Sequence, residues 1–127
     1  MGAYEIFRSN QDINLTIFAS GSEVNLALNV CHKLAIENIY SKVISVPSQE
    51  LFEQQYSEYK NEILNETDFA ITIEAGSTSS WHKFIRKKGL NFGIDEFGKS
   101  APFKEIYKHF GLTVENISKK TKNLIKS

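Results

Sequence analysis

A strand that turns directly into a helix, within residues 14–30 (NLTIFASGSEVNLALNV), constrains the fold of this chain most. Residues 15–18 form an apolar run with β-branched members, which is typical of a strand. The run breaks at residues 20–22 (SGS), and the apolar period then becomes helical. Ser22 is predicted to cap the new helix. Strand, tight glycine turn and helix, in this order, open a βαβ unit.

The rest of the chain repeats this alternation of strand and helix. The pattern predicts strands at residues 13–19, 41–46, 68–74 and 90–94, with a short edge strand within residues 1–8. It predicts helices at residues 22–37, 49–54, 56–64, 81–88 and 103–110, and from residue 114 onward. The fold class is therefore α/β, a three-layer α/β/α arrangement around a mostly parallel, doubly wound sheet of about five strands. No shift in composition marks a boundary, so residues 1–127 are predicted to form a single domain.

Local signals indicate how several helices begin and end. Ser48 and Thr113 are predicted N-caps, and Asn38 is a predicted left-handed end for the first helix. Gly89, after a basic stretch, is predicted to end the helix that starts at Trp81.

Apolar residues at helical spacing predict which side chains anchor the helices. The spacing assigns Leu51 and Phe52 to the apolar side of the first short helix in the middle of the chain, and Tyr56 to that of the second. Trp81 is predicted to lie buried on one helix face with Phe84 and Ile85.

Composition excludes several classes of function. The chain has 15 basic and 15 acidic residues, so no overall charge recruits nucleic acid. The apolar runs are of strand length, so no membrane partner is expected, and no secretory signal is seen. The lone cysteine, Cys31, falls on the apolar side of the first helix and is predicted to be a buried thiol in a reducing, cytoplasmic setting.

Two serine- and glycine-rich turns are the candidate functional site. They follow the first and third confident strands, and the carboxyl ends of parallel strands are where α/β sheets bind ligands. Helix N-termini after such turns expose N–H groups that can hold an anion. We therefore predict a weak anion site there, with the alternative that these residues only form turns and caps. Its residues are Ser20, Gly21, Ser22, Gly76, Ser77 and Thr78.

Two further residues beside these turns, Glu74 and His82, have side chains that can take part in proton transfer or hydrogen bonding. Glu74 could act as an acid or base, or could accept hydrogen bonds from N–H groups of the adjacent turn. His82 is a lone histidine, which more often has a structural role. No serine has a general base paired with it, and one cysteine with three scattered histidines does not indicate a zinc site.

Four segments of the chain resemble the C-terminal domain of transketolase. The most specific are IEAGSTSSWHKF at residues 73–84 and FGKSAPFKEIYKHFGLTVENI at residues 97–117. The other two are ASGSEVNLAL at residues 19–28 and SVPSQELFEQQYSEYKNEIL at residues 45–64. In order and spacing they cover nearly the whole chain.

This resemblance implies a role within a larger enzyme. Transketolases move a two-carbon ketol unit from a ketose phosphate to an aldose phosphate, in the pentose phosphate pathway, with thiamine diphosphate and a divalent metal (Mg or Ca). Their catalytic centre lies between the first two domains of opposing subunits of a homodimer. The resemblance therefore implies partners in the N-terminal and middle domains and a second subunit. It assigns no catalytic, cofactor-binding or metal-binding residue to this chain, which is expected to be a structural, interface-forming fragment.

Two other interpretations stay open at the level of sequence. The chain could be a stand-alone module that binds a small ligand or anion at the two turns. It could also be the equivalent domain of another thiamine-diphosphate enzyme, although the segment at residues 97–113 argues against this.

Overall fold

The computed structural model describes residues 2–76, 80–85, 87–93, 108 and 111–127. Within these residues, strands and helices alternate along the chain as expected. The strands are β1 (Tyr4–Arg8), β2 (Leu15–Ser20), β3 (Ser41–Val46), β4 (Phe69–Ile73) and β5 (Lys88–Phe92). The helices are α1 (Val24–Ile36), α2 (Gln49–Glu53), α3 (Ser57–Asn65) and α4 (Val114–Lys126), with 3-10 turns at Gly21–Glu23 and His82–Phe84.

One sheet joins all five strands in the order β1-β3-β2-β4-β5. The central strand β2 runs parallel to both of its neighbours, and β4 and β5 are also parallel. Only the edge strand β1 is antiparallel, where it pairs with β3. This arrangement confirms the predicted α/β class with a mostly parallel sheet and the predicted edge position of the first strand.

The helices cover both faces of the sheet because side chains of a strand alternate between faces. Ile17 of β2 belongs to an apolar cluster with residues of α1 and α4, whereas the adjacent Phe18 belongs to a second cluster with residues of α2 and α3. All six residues of β2 are buried, as expected for a strand covered on both faces. The two apolar clusters therefore pack against opposite faces of the same sheet.

Three predicted helix ends are confirmed. Asn38 has a φ of +64°, the left-handed conformation that closes α1. The Ser48 hydroxyl accepts a hydrogen bond from the Leu51 N–H at 3.2 Å, and the Thr113 hydroxyl accepts one from the Asn116 N–H at 3.2 Å. Each side chain therefore caps a helix as predicted.

The predicted helix over residues 81–88 is wrong. The described residues contain only the 3-10 turn at His82–Phe84, and Ile85 is already extended. Gly89, predicted to end the helix, lies inside β5 opposite Ala70. A Cβ atom on Gly89 would stand 1.9 Å from the Ala70 carbonyl oxygen, so the two strands can approach only at a glycine. The fourth confident strand therefore begins two residues earlier than predicted, at Lys88.

Two residues predicted on the apolar sides of short helices are exposed. Leu51 of α2 is 51% exposed, and Tyr56, just before α3, is 89% exposed. The core position of α2 is taken by Phe52, which is 1% exposed. The predicted helix at residues 103–110 lies outside the described residues except for Lys108, and Ile94 of the predicted fourth strand also lies outside them.

A network of charged side chains ties β1 and β3 to the loop before β4. Lys42 of β3 is 2% exposed, and its ammonium lies 2.6 Å from a carboxylate oxygen of Glu66. Arg8 donates to both oxygens of Glu66, at 2.7 and 2.9 Å, and also to Glu5. The hydrogen bond from Arg8, followed by that from Lys42, lowers the pKa of Glu66 to about 2.

We expect Trp81→Ala to destabilise the chain by about 3–5 kcal/mol, because the substitution leaves a large cavity in a packed core. Trp81 is 3% exposed, and its ring centroid lies 5.2 Å from that of Phe84. Urea unfolding followed by circular dichroism measures the loss. Tyr56→Ala is the matched control, since this aromatic residue is 89% exposed. Equal, small losses in both variants would contradict the assignment of Trp81 to the core.

We expect Glu66→Gln to destabilise the chain at pH 7 by about 2–3 kcal/mol, because the buried ammonium of Lys42 loses its carboxylate. The pKa of Glu66 is lower in the folded state than its ordinary value of 4.5. Its contribution is therefore fully present above pH 4.5 and is lost as the pH falls toward 2. Urea unfolding at several pH values should show a weaker loss of stability between pH 4.5 and 2 in the variant than in the parent chain.

Asp68→Asn serves as the control for this experiment. The Asp68–Lys87 pair is also close, at 2.8 Å, but both side chains are mostly exposed. Its removal should leave the urea midpoint unchanged at pH 7. If Asp68→Asn and Glu66→Gln shift the midpoint equally, the burial of Lys42 is not what makes the Glu66 contact matter.

Candidate functional site

The strands that precede the two predicted turns end side by side at the carboxyl end of the sheet. Strands β2 and β4 are parallel neighbours, and Ala19 pairs with Ile73 at their carboxyl ends. The chain leaves β2 toward α1 on one face and leaves β4 toward the 3-10 turn at His82–Phe84 on the other. Neighbouring strands whose connections leave on opposite faces create a crevice between their ends. Of the six predicted site residues, four lie here, whereas Ser77 and Thr78 lie outside the described residues.

The turn after β2 differs from its prediction. Ser22 was assigned as the N-cap of α1, but residues 21–23 form a 3-10 turn and no side chain caps the helix. The Ser22 hydroxyl instead donates to Glu23 Oε1 at 3.2 Å and lies 3.5 Å from the Ser20 hydroxyl oxygen. A Cβ atom on Gly21 would meet nothing within 4 Å, so no neighbour in the chain requires a glycine at this position.

Carboxylates already stand where an anion would bind. Glu23 is only 3% exposed and lies immediately before α1, where the helix dipole favours a negative charge. Glu74 Oε1 accepts a hydrogen bond from the Gly76 N–H at 3.0 Å. This contact confirms the alternative in which Glu74 accepts from the adjacent turn. A bound anion would compete with both carboxylates, so the weak anion site stays a prediction.

A chain of polar contacts that the sequence analysis missed fixes the ring of His82. The Thr72 hydroxyl donates to Asn91 Oδ1, and Asn91 Nδ2 lies 2.9 Å from His82 Nδ1. Because the amide oxygen is taken by Thr72, the amide N–H₂ faces the ring and His82 Nδ1 accepts from it. The neutral ring then carries its proton on Nε2, and the side chain is exposed. Thr72 and Asn91 lie opposite each other because of the register between β4 and β5, which the sequence analysis did not predict.

A groove lies away from the strand ends, between α2, α3 and the 3-10 turn at His82–Phe84. It has a volume of about 800 Å³, and Phe52 and Leu64 contribute apolar walls. Lys60 and Lys83 both face Glu53 across it, at 3.9 and 3.6 Å. These lysines form ion pairs with Glu53 on the wall of the groove.

The described residues contain neither a cluster of metal-binding side chains nor a helix that could span a membrane. Among them, no three histidine, cysteine, aspartate or glutamate side chains come close enough together to hold a metal ion. In the same part of the chain, every helix is too short or too polar to cross a bilayer.

Fold and site together define an α/β domain whose described residues form no catalytic constellation. A family model described as "Transketolase-like TK C-terminal domain" matches residues 2–113. The chain belongs to this family of transketolase C-terminal domains.

Individual relatives agree with this assignment. The transketolase of Bacillus subtilis is 42% identical over 126 residues, which are 98% of this chain and 19% of that protein. The solved transketolase of Leishmania mexicana superposes with a TM-score of 0.86 at 36% identity, over 98% of this chain and 18% of that one. A Pichia stipitis transketolase in complex with sedoheptulose-7-phosphate gives 0.84 at 30% identity, over 98% of this chain and 18% of that one. The chain thus spans about a fifth of the length of the relatives it matches.

We expect sulfate to bind only weakly at the two turns, because the Glu23 and Glu74 carboxylates lie beside the hydrogen-bond donors there and repel an anion. Chemical-shift titration with sulfate, followed at the amides of Gly21, Ser22, Gly76 and Ser77, measures this. The Gly111 amide, which donates to the Lys108 carbonyl at 3.2 Å, is the reference signal. If none of the four amides moves, the turns hold no anion.

Proposed function

We propose that this chain is the C-terminal domain of a transketolase that transfers a two-carbon ketol unit from a ketose phosphate to an aldose phosphate. The observation that carries the proposal is the match to transketolases over 97–99% of this chain, together with the family model over residues 2–113. The sugar-phosphate complex of the Pichia stipitis relative supports the substrate class. The proposal includes the pentose phosphate pathway and the cytoplasm as its setting.

The residues described here do not fit the cofactor of such an enzyme. Thiamine diphosphate binds through a divalent metal, which needs several oxygen ligands in one place. No such cluster exists among the described residues, and Glu23 and Glu74 contact their own turns. We therefore place cofactor and metal binding in the other domains of the enzyme and assign no step of the reaction to this chain.

Within the enzyme, we propose that residues 1–127 act as one structural domain that contacts the N-terminal and middle domains and a second subunit of a homodimer. The single sheet with apolar clusters on both faces supports a unit with its own core. The match to only 19% of the Bacillus subtilis transketolase supports further domains in the same enzyme.

We expect the isolated chain to show no ketol transfer with thiamine diphosphate and Mg²⁺, because the part of it that the structure describes offers no ligand set for the metal. Isothermal titration with the same cofactor pair should show no binding. Tight, metal-dependent binding by this chain would contradict the proposal.

A domain exchange supplies the positive test. Replacing the C-terminal domain of the Bacillus subtilis transketolase with this chain should yield a folded enzyme that retains ketol transfer. The matched control is the same enzyme with that domain deleted. If the exchanged enzyme is folded but no more active than the deletion, this chain does not serve as a transketolase C-terminal domain.

A further inference from the structure

The groove between α2, α3 and the 3-10 turn at His82–Phe84 has the size and one apolar wall of a small-molecule site. Its volume of about 800 Å³ lies within the range of such sites, which is roughly 300–1,000 Å³. We call Phe52, Leu64 and Ile85, which line it, the apolar wall. Phe52 and Leu64 are buried members of the apolar cluster on this face of the sheet, so the core holds the wall in place.

Helix α3 adds polar groups to the groove at helical spacing. Ser57, Lys60, Asn61 and Leu64 all line it, and positions i, i+3, i+4 and i+7 lie on one side of a helix. A hydroxyl, an ammonium and an amide therefore stand beside the apolar wall. An apolar surface with a few polar groups next to it is the usual composition of a small-molecule site.

Two ammonium groups share one carboxylate in this groove. Lys60 Nζ lies 3.9 Å from Glu53 Oε2, and Lys83 Nζ lies 3.6 Å from Glu53 Oε1. Every other ion pair among the described residues is 2.8 Å or shorter, so these two contacts are loose. Among the described residues that line the groove, lysines outnumber carboxylates by two to one, which leaves an excess of positive charge.

We propose that this groove binds a small organic anion, with a phosphate or carboxylate head on an apolar body. The head would lie between Lys60 and Lys83, because ammonium groups make strong charge-assisted hydrogen bonds to phosphate and carboxylate oxygens. The body would lie on the apolar wall. The site is separate from the turns at the strand ends, and the proposal does not depend on ketol transfer.

Glu53 is the competitor of such a ligand. It occupies the place between the two lysines, but it holds them only loosely, and its side chain is 51% exposed. It can therefore rotate into water when the head of the ligand takes its place. Removal of the Glu53 charge should strengthen binding, whereas removal of either lysine charge should weaken it.

A titration with three probes tests whether the groove recognises both parts of the ligand. The probes are 1-naphthyl phosphate, inorganic phosphate and the neutral 1-naphthol, followed by chemical shifts of the amides of Lys60, Asn61 and Lys83. The Kd of naphthyl phosphate should be about ten-fold or more below that of either other probe, because only it pairs with the lysines and also buries an apolar ring. Equal affinity for phosphate or for naphthol would overturn the proposal. Shifts confined to Gly21 and Gly76 would place binding at the strand ends and overturn it too.

Charge variants identify the residues that bind the head. Lys60→Gln and Lys83→Gln should each raise the Kd of naphthyl phosphate by about three-fold, and Glu53→Gln should lower it by about as much. Lys87→Gln is the matched control, since it removes the same charge from a lysine that pairs with Asp68 and does not line the groove. Circular dichroism checks that each variant is folded.

The control decides between a site and a general effect of charge. If Lys87→Gln weakens binding as much as Lys83→Gln does, the lysines of the groove do not bind the head and the proposal is wrong. Weakening by Glu53→Gln would also contradict it, since Glu53 would then support the ligand rather than compete with it. These titrations use the chain without cofactor or sugar phosphate, so their failure leaves the proposed function untouched.

Discussion

The structure depends on the burial of one strand. All six residues of β2 are buried, and β2 pairs along its whole length with β3 on one side and over Leu15 to Ala19 with β4 on the other. Its alternating side chains enter both apolar clusters, so one short segment links the two layers of helices. Any change that shifts the register of β2 by one residue would exchange the two sets of core side chains and disrupt both layers at once.

Sequence alone predicts the part of the fold that rests on local rules. The strand-to-helix switch after β2, the caps at Ser48 and Thr113 and the left-handed Asn38 are each determined within a few residues. The segment after β4 is mispredicted because its basic residues and Gly89 fit the end of a helix as well as they fit the start of a strand. Its structure is decided by pairing with Ala70 in a distant strand, and a local pattern contains no information on that contact.

Sequence predicts that the ends of β2 and β4 are neighbours, but it does not predict the hydrogen bonds made there. Parallel pairing of β2 and β4 follows from the βα order, so the neighbouring turns at their ends are predictable. The hydrogen-bond partners of the N–H and O–H donors in these turns are not predictable, because they depend on side-chain rotamers. Glu74 folds back onto the Gly76 N–H, and Ser22 turns toward Glu23 instead of capping α1. An anion that binds in this crevice would therefore have to compete with Glu23 and Glu74 for the donors of the two turns.

The N-terminal segment of the chain is held by contacts that no local rule predicts. The Gly2 carbonyl accepts from the Ser48 N–H, the Tyr59 hydroxyl donates to the Ala3 carbonyl, and the Gly2 backbone lies against α2. Movement of this segment would expose Ala3 and break both hydrogen bonds, because Ala3 is buried in the apolar cluster that contains Phe52. The first residues of the chain therefore belong to the core on this face of the sheet, although their sequence is too short and too small to indicate it.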